Sequence, residues 1–172
     1  EYDETIEALN QSISLNRNQR EAYLYRFLSN VELGNGDQAE EDVDTVLLFY
    51  SNSFEVNLAI VRLHLIQGRN GSALLALDKT EALASSDEQE AQVYFWGATV
   101  HERREDFDNA AEYWQLLLDL PEEAMTEEMR AEAEERLAEI ATATPTRTST
   151  ATSTLTWTPT FTPTSSPTRT PT

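Results

Sequence analysis

The chain has no cysteine, only two histidines and five glycines in 172 residues. Without thiols there is no disulfide framework and no thiolate chemistry. That lack is compatible with an oxidising compartment and does not indicate one. Acid is missing from the end of the chain and base is scarce before it. Ten of the 12 basic residues share the first 140 positions with all 31 acidic ones, a net charge of −21, while the last 32 residues carry only Arg147 and Arg169. A body so negative repels phosphate, and no basic stripe is present to track a nucleic-acid backbone, so no nucleic-acid partner is expected. Long apolar runs are lacking too. The most apolar stretch, Phe54 to Ile66, contains Arg62 and His64 and is only 13 residues long. A membrane span needs roughly 20 apolar residues, so no direct span is expected and the stretch reads as a buried helix. Glu1 is preceded by neither an initiator Met nor a signal-peptide pattern, as expected of a processed or truncated chain.

What the chain does have is internal repetition. Small residues recur as Thr5, Ala39, Ala73 and Ala110, at spacings of 34, 34 and 37. Four positions after each comes a large apolar side chain: Leu9, Val43, Leu77 and Trp114. Pairs at i and i+4 share one helical face. The last three small residues each follow a turn, at Gly34-Asn35-Gly36-Asp37, Gly68-Arg69-Asn70-Gly71 and Glu105-Asp106-Phe107-Asp108. Glycine past a helix stops it, and Asp or Ser near the next start caps the following one. The three extra residues of the last interval fall in the polar linker Ala84-Ser85-Ser86-Asp87-Glu88. Upstream of each turn lies a further helix in its own register, with Tyr23, Asn57 and Tyr94 equivalent, and likewise Phe27, Val61 and Ala98.

Two antiparallel helices per 34 residues resembles the tetratricopeptide (TPR) family. Tyr94-Phe95-Trp96-Gly97-Ala98, followed by Phe107-Asp108-Asn109-Ala110, Trp114, Leu117 and Pro121, resembles one whole repeat, and Tyr2 through Asn16 resembles the second helix of another. The resemblance spans residues 1 to about 124 and implies an all-α, TPR-type helical-hairpin solenoid. The expected parts are a lone second helix near 2–15, pairs near 20–50, 54–83 and 88–119, and an Ala/Glu-rich capping helix near 125–141. Some residues depart from the pattern. Phe27 and Val61 stand where the family keeps a small residue, Asn57 replaces an aromatic, and Thr80-Glu81 interrupt an apolar face. The first two full repeats are therefore expected to pack less ideally than the third. The lone first helix lacks its partner, so Ile6, Leu9 and Ile13 form an apolar face that something else should cover. At about 1.5–3 kcal/mol per large aliphatic side chain, leaving three in water rivals the net stability of a domain.

Residues 1–141 thus form one unit and 142–172 a different one. From Thr142 to Thr164 every even position is threonine, and Pro159, Pro163, Pro167 and Pro171 fall every fourth residue. Such a composition buries no core and reads as an extended, O-glycosylated stalk. The expected acceptors are Thr144, Thr146, Thr148, Thr150, Thr152, Thr154, Thr156, Thr158, Thr160, Thr162, Thr164, Thr168 and Thr170. The even period is a strand period, and it leaves Leu155, Trp157 and Phe161 together on the other side. These three, with Ile6, Leu9 and Ile13, are the candidate self-association residues.

No nucleophile–base–orienter set can be assembled, and no metal-ligand or calcium-loop spacing occurs, so no catalysis, cofactor or metal is expected. His64 and His101 hold equivalent places in successive repeats, which suggests packing or groove lining. Asp106 and Asp108 read as a helix-capping turn, and Asn10-Gln11-Ser12 and Asn70-Gly71-Ser72 match the N-glycan acceptor pattern. The TPR resemblance implies that the first helix of each pair lines a concave peptide-binding groove. Carried over, it places Leu24, Leu28, Leu58, Arg62, Phe95, Thr99 and Arg103 there, with the core as the alternative place for Leu24, Leu28 and Leu58. The functional expectation is a non-enzymatic extracellular or cell-surface protein that self-assembles, its partner being a second copy and its tail carrying glycans. The alternatives are a peptide-binding adaptor with a linker tail, and a docking domain of a larger cell-surface complex.

Overall fold

A computed structural model of the protein describes residues 2–143, and side chains over 4–142. Leu155, Trp157, Phe161 and the threonines from Thr144 onward lie outside the described residues. Among those described the chain is all-helical with no strand: α1 (Tyr2–Leu15), α2 (Arg20–Glu32), α3 (Gly36–Glu40), α4 (Val43–Tyr50), α5 (Phe54–Ile66), α6 (Asn70–Glu81), α7 (Asp87–Arg103), α8 (Phe107–Asp119), a 3-10 turn (Glu122–Ala124) and α9 (Glu127–Ala143). Helices adjacent in sequence pack together, α5 on α6, α7 on α8, α8 on α9 and α1 on α2.

The hairpin turns repeat atom for atom. Gly34, Gly68 and Glu105 all take positive φ, at 73°, 68° and 58°. In each turn the next amide reaches back five residues: Asn35 N to Asn30 O at 2.8 Å, Arg69 N to His64 O at 2.8 Å, and Asp106 N to His101 O at 3.0 Å. This left-handed C-terminal motif satisfies carbonyls the helix leaves open. Two turns use glycine, which takes positive φ without a Cβ penalty; the third forces a glutamate into it. At the other edge of the hairpins, hydroxyls cap the incoming helices. Ser53 accepts from Val56 N at 3.3 Å, Ser86 from Gln89 N at 3.4 Å, and Thr126 from Met129 N at 3.2 Å.

The repeated positions make the core. Ala39, Ala73 and Ala110 are fully buried, and so are Leu77 and Trp114. Phe27 and Val61 are also fully buried and sit at the centres of two apolar clusters, so the fold accommodates the large residues there. Asn57 is buried too, with its amide donating to Ser51 O at 2.9 Å and Ser53 O at 2.7 Å. Thr80 is buried with its hydroxyl on Ala76 O at 2.8 Å, which satisfies the one polar group it brings in.

The second helix of the pair expected near 20–50 is not continuous. It breaks at Glu41-Asp42 into α3 and α4. Asp42 is wholly buried, and its carboxylate takes both arms of Arg26, Nε to Oδ2 at 2.8 Å and Nη2 to Oδ1 at 2.6 Å. Its amide bonds Ala39 O, one residue closer than an α-helix requires. The equivalent pair is Ile60 and Ala76 in the second repeat and Gly97 and Tyr113 in the third. There, a Cβ on Gly97 would lie 2.4 Å from the Tyr113 ring. Past the break Val46 takes the fully buried place, and Val43 is only half-buried.

Candidate functional site

Helices α2, α5 and α7 are the first helices of their pairs, and together they line a cleft of about 270 Å³. Three equivalent rows of residues, at i, i+3 and i+7, run along them: Tyr25, Leu28 and Glu32 on α2, then Ala59, Arg62 and Ile66, then Trp96, Thr99 and Arg103. Spacing of three and four residues keeps each row on one helical face. Six of these nine, together with the less exposed Val31 and Leu65 and with Gly34, line the cleft or border it.

Arg62 organises the site. Its guanidinium donates from Nη2 to Glu32 Oε2 at 2.8 Å and from Nη1 to Glu32 Oε1, while Cζ lies 4.9 Å above the Trp96 ring. One side chain therefore ties three helices through a two-pronged ion pair and a cation–π contact. The hydrogen bond from Arg62 holds the Glu32 carboxyl below the usual carboxylate range. Thr99 spends its hydroxyl proton on Phe95 O at 3.0 Å and keeps acceptor capacity. Arg103 is exposed, and among the described residues no carboxylate pairs with it. Ile66 is 41% exposed at the rim. The cleft thus offers an indole face, an aliphatic rim and one unspent guanidinium, and no nucleophile–base pair.

Of the seven residues expected in the groove, Arg62, Thr99 and Arg103 line the cleft. Leu58 lies in the core with Val61 and Leu77. Leu24 and Leu28 are half-buried against the cluster of Phe27, Val31 and Val56. Phe95 turns away from the cleft and packs edge-on between Trp96 and Trp114, at 5.4 Å from each. Six further residues line the cleft without having been expected there, Val31, Gly34 and Leu65 and, from the three equivalent rows, Glu32, Ile66 and Trp96. The signal for the last three was the row spacing itself: Trp96 is three positions before Thr99, as Ala59 is before Arg62.

At the start of the solenoid α2 covers part of the face of α1, leaving Ile6, Leu9 and Ile13 half-buried rather than open. Arg26 also reaches α1, donating to Asn10 Oδ1. The outer surfaces of the two end helices are both acidic, with Glu4 and Glu7 exposed on α1 and Glu127, Glu128, Glu134, Glu135 and Glu139 on α9.

The two histidines share a repeat position and meet opposite surroundings. His101 sits 3.0 Å from Asp106 through Nδ1 and stacks on Tyr113 at 5.2 Å. Burial pushes the His64 pKa down and Arg69 adds to it, against a smaller pull from Glu40. Asp106 also accepts from Asn109 at 2.7 Å, and that bond and the one to His101 hold its pKa low. Among the described residues no cluster of three or more His, Asp or Glu could hold a metal ion, and no helix is long and apolar enough to cross a membrane. Both N-glycan patterns have their amides engaged, Asn10 with Arg26 and Asn70 by donation to Arg103 O at 2.8 Å.

No protein-family model matches the chain, and no curated protein matches it. Among solved structures, the crystal structure of MamA is similar to it, with a TM-score of 0.60 and 17% sequence identity over 82% of this chain and 87% of that one. At this identity the likeness speaks for the fold alone, a TPR-like helical solenoid.

Proposed function

We propose that this chain is a non-enzymatic interaction module that grips an extended segment of a partner protein along its concave cleft. The observation that carries this is the state of the cleft residues. Glu32 fixes Arg62 over the Trp96 ring before any partner arrives, while Ile66 and the Arg103 guanidinium stand exposed beside them. Prefixed side chains cost little entropy on binding, which is the condition for a short segment to bind usefully. Peptides selected from a displayed random library against the full chain should lose at least about tenfold in affinity on Trp96→Ala, as aromatic anchors of an interface do. A Trp96→Ala protein that melts as the parent does and still binds every selected peptide equally well would remove the cleft as the site.

End-to-end self-assembly is a second proposal, supported by the half-open apolar residues of α1 and by Leu15, which is 81% exposed at its end. Charge opposes it, because stacking α9 of one copy on α1 of the next brings two acidic surfaces together. Sedimentation of the whole chain decides: a monomer at high concentration and high salt, where repulsion is screened, rules assembly out. An extracellular or cell-surface setting and glycans on residues 144–172 are proposed from the Thr/Pro composition of that segment. Intact-mass analysis of native material tests the glycans directly.

A further inference from the structure

The protein's bulk charge and the charge of its cleft have opposite signs. The first 140 residues sum to −21, and a partner attracted by that overall field would be basic. The charged groups lining the cleft are Glu32, Arg62 and Arg103. Glu32 and Arg62 neutralise one another in their two-pronged pair. What remains is the Arg103 guanidinium, at the end of a row whose other members are Trp96 and Thr99. Arg104 follows it, close to the start of α6, where its Nη1 would lie 3.9 Å from a Cβ on Gly71. The carboxylates adjoining the two arginines in sequence are Glu102, which accepts from Trp114 Nε1 at 2.7 Å, Glu105, exposed in its left-handed position, and Asp106, already bonded to His101 and Asn109.

Resting on the cleft as the binding site, we infer that its occupant is an extended peptide segment of another protein bearing a carboxylate that pairs with Arg103, beside an aliphatic or aromatic residue seated between Trp96 and Ile66. Salt screens the field of distant acids beyond about 8 Å at physiological ionic strength, so the local guanidinium decides which charge is accepted. Its planar fork matches a carboxylate with two parallel hydrogen bonds. A basic segment meets the opposite situation, since among the described residues the only carboxylate lining the cleft is Glu32, and taking it would break the pair that fixes Arg62 over Trp96. The accepted partner is therefore acidic, although the bulk charge of the body favours a basic one.

The test selects peptides from a random displayed library against the whole 172-residue chain at about 0.15 M salt. The peptides recovered should carry net negative charge, lose roughly tenfold or more in affinity on Arg103→Glu, and lose less on Arg103→Lys, which keeps the charge without the fork. Arg103 is exposed, so the variants should melt with the parent. Neutral or basic peptides that still depend on Trp96 would overturn the acidic partner and leave the cleft standing. Peptides indifferent to Trp96, or no enrichment at all, would overturn both.

Discussion

Replacing the Arg26–Asp42 pair by the residues that hold the same positions one repeat later tests how this fold uses buried charge. Asp42 is wholly buried and the Arg26 side chain is 16% exposed, so neither ion has much water to fall back on. Removing the carboxylate alone, with Asp42→Ala, strands a guanidinium that retains its bond to Asn10 and a face of Tyr23 at 5.7 Å. Breaking a buried pair costs about 3–5 kcal/mol, and this partly relieved cation belongs at the lower end, about 3 kcal/mol. Arg26→Ile strands an aspartate with no exposure at all, and belongs at the upper end, about 5 kcal/mol. At roughly 3 °C per kcal/mol for a unit of this size, the melting temperatures should fall by about 9 and 15 °C. The double change Arg26→Ile with Asp42→Ala recreates the Ile60 and Ala76 pair. It leaves no charge unpaired, so its stability should return to that of the parent or rise above it by about 1–4 kcal/mol. Alanine at position 42 also favours helix, so α3 and α4 should join and the circular dichroism at 222 nm should deepen slightly. Urea and thermal melts of the four proteins complete the cycle. If the double mutant loses the sum of the two single losses, the two residues are not coupled and Asp42 breaks the helix for some other reason.

Other outcomes follow from the same geometry. Glu105→Gly relieves a left-handed glutamate and should stabilise by about 1 kcal/mol, read as a higher urea midpoint at unchanged slope. Gly97→Ala gains helix propensity but drives a methyl into the Tyr113 ring, and should destabilise by about 1–3 kcal/mol; measured in a Tyr113→Ala background, where the ring is gone, the same change should cost less. His64 has a lowered pKa in the folded chain, so below an ordinary histidine value of about 6.5 the unfolded chain takes up the proton first. Stability should therefore fall as pH drops from about 7 towards 5.5, above the carboxylate range, and His64→Gln should flatten that slope. A His64→Gln melt with the parent's pH dependence would assign the slope elsewhere.

The hairpin architecture was legible because its signals are periodic. Burying Ala39, Ala73 and Ala110 at the tightest contacts demands small residues at a fixed spacing, and the left-handed turns demand Gly34 and Gly68. The split of α3 from α4 was not legible, because it depends on Arg26, sixteen residues away in sequence, turning inward to meet Asp42. The cleft was half legible. Successive helical residues point about 100° apart, so choosing Phe95 in place of Trp96 moved the expected groove aromatic onto the neighbouring face, which packs against Trp114. Leu58 takes the core place that was its alternative, because apolar residues at helical spacing read alike whether they face a groove or the core.

The two kinds of connection in this chain differ in what they allow when a gene is cut and rejoined. Each turn from first to second helix closes within five residues on its own helix, and each pair such as Arg26 with Asp42 or Gly97 with Tyr113 lies inside one hairpin. The links between hairpins, around Ser51–Ser53 and Leu83–Ser86, carry no left-handed turn and are bonded to the helices that flank them, with Ser53 and Ser86 capping the incoming helix and Asn57 and Gln89 reaching back to Ser51 and Ser85. A crossover there hands over a hairpin with its mates already matched. A crossover at Gly34 or Gly68 would set an arginine opposite an alanine, or an isoleucine opposite a buried aspartate. The hairpin is the unit in which such a chain can gain or lose length, and contacts that cross between hairpins, such as Arg62 to Glu32, Arg69 to Glu40 and Asn70 to Arg103, are the ones each rearrangement must rebuild.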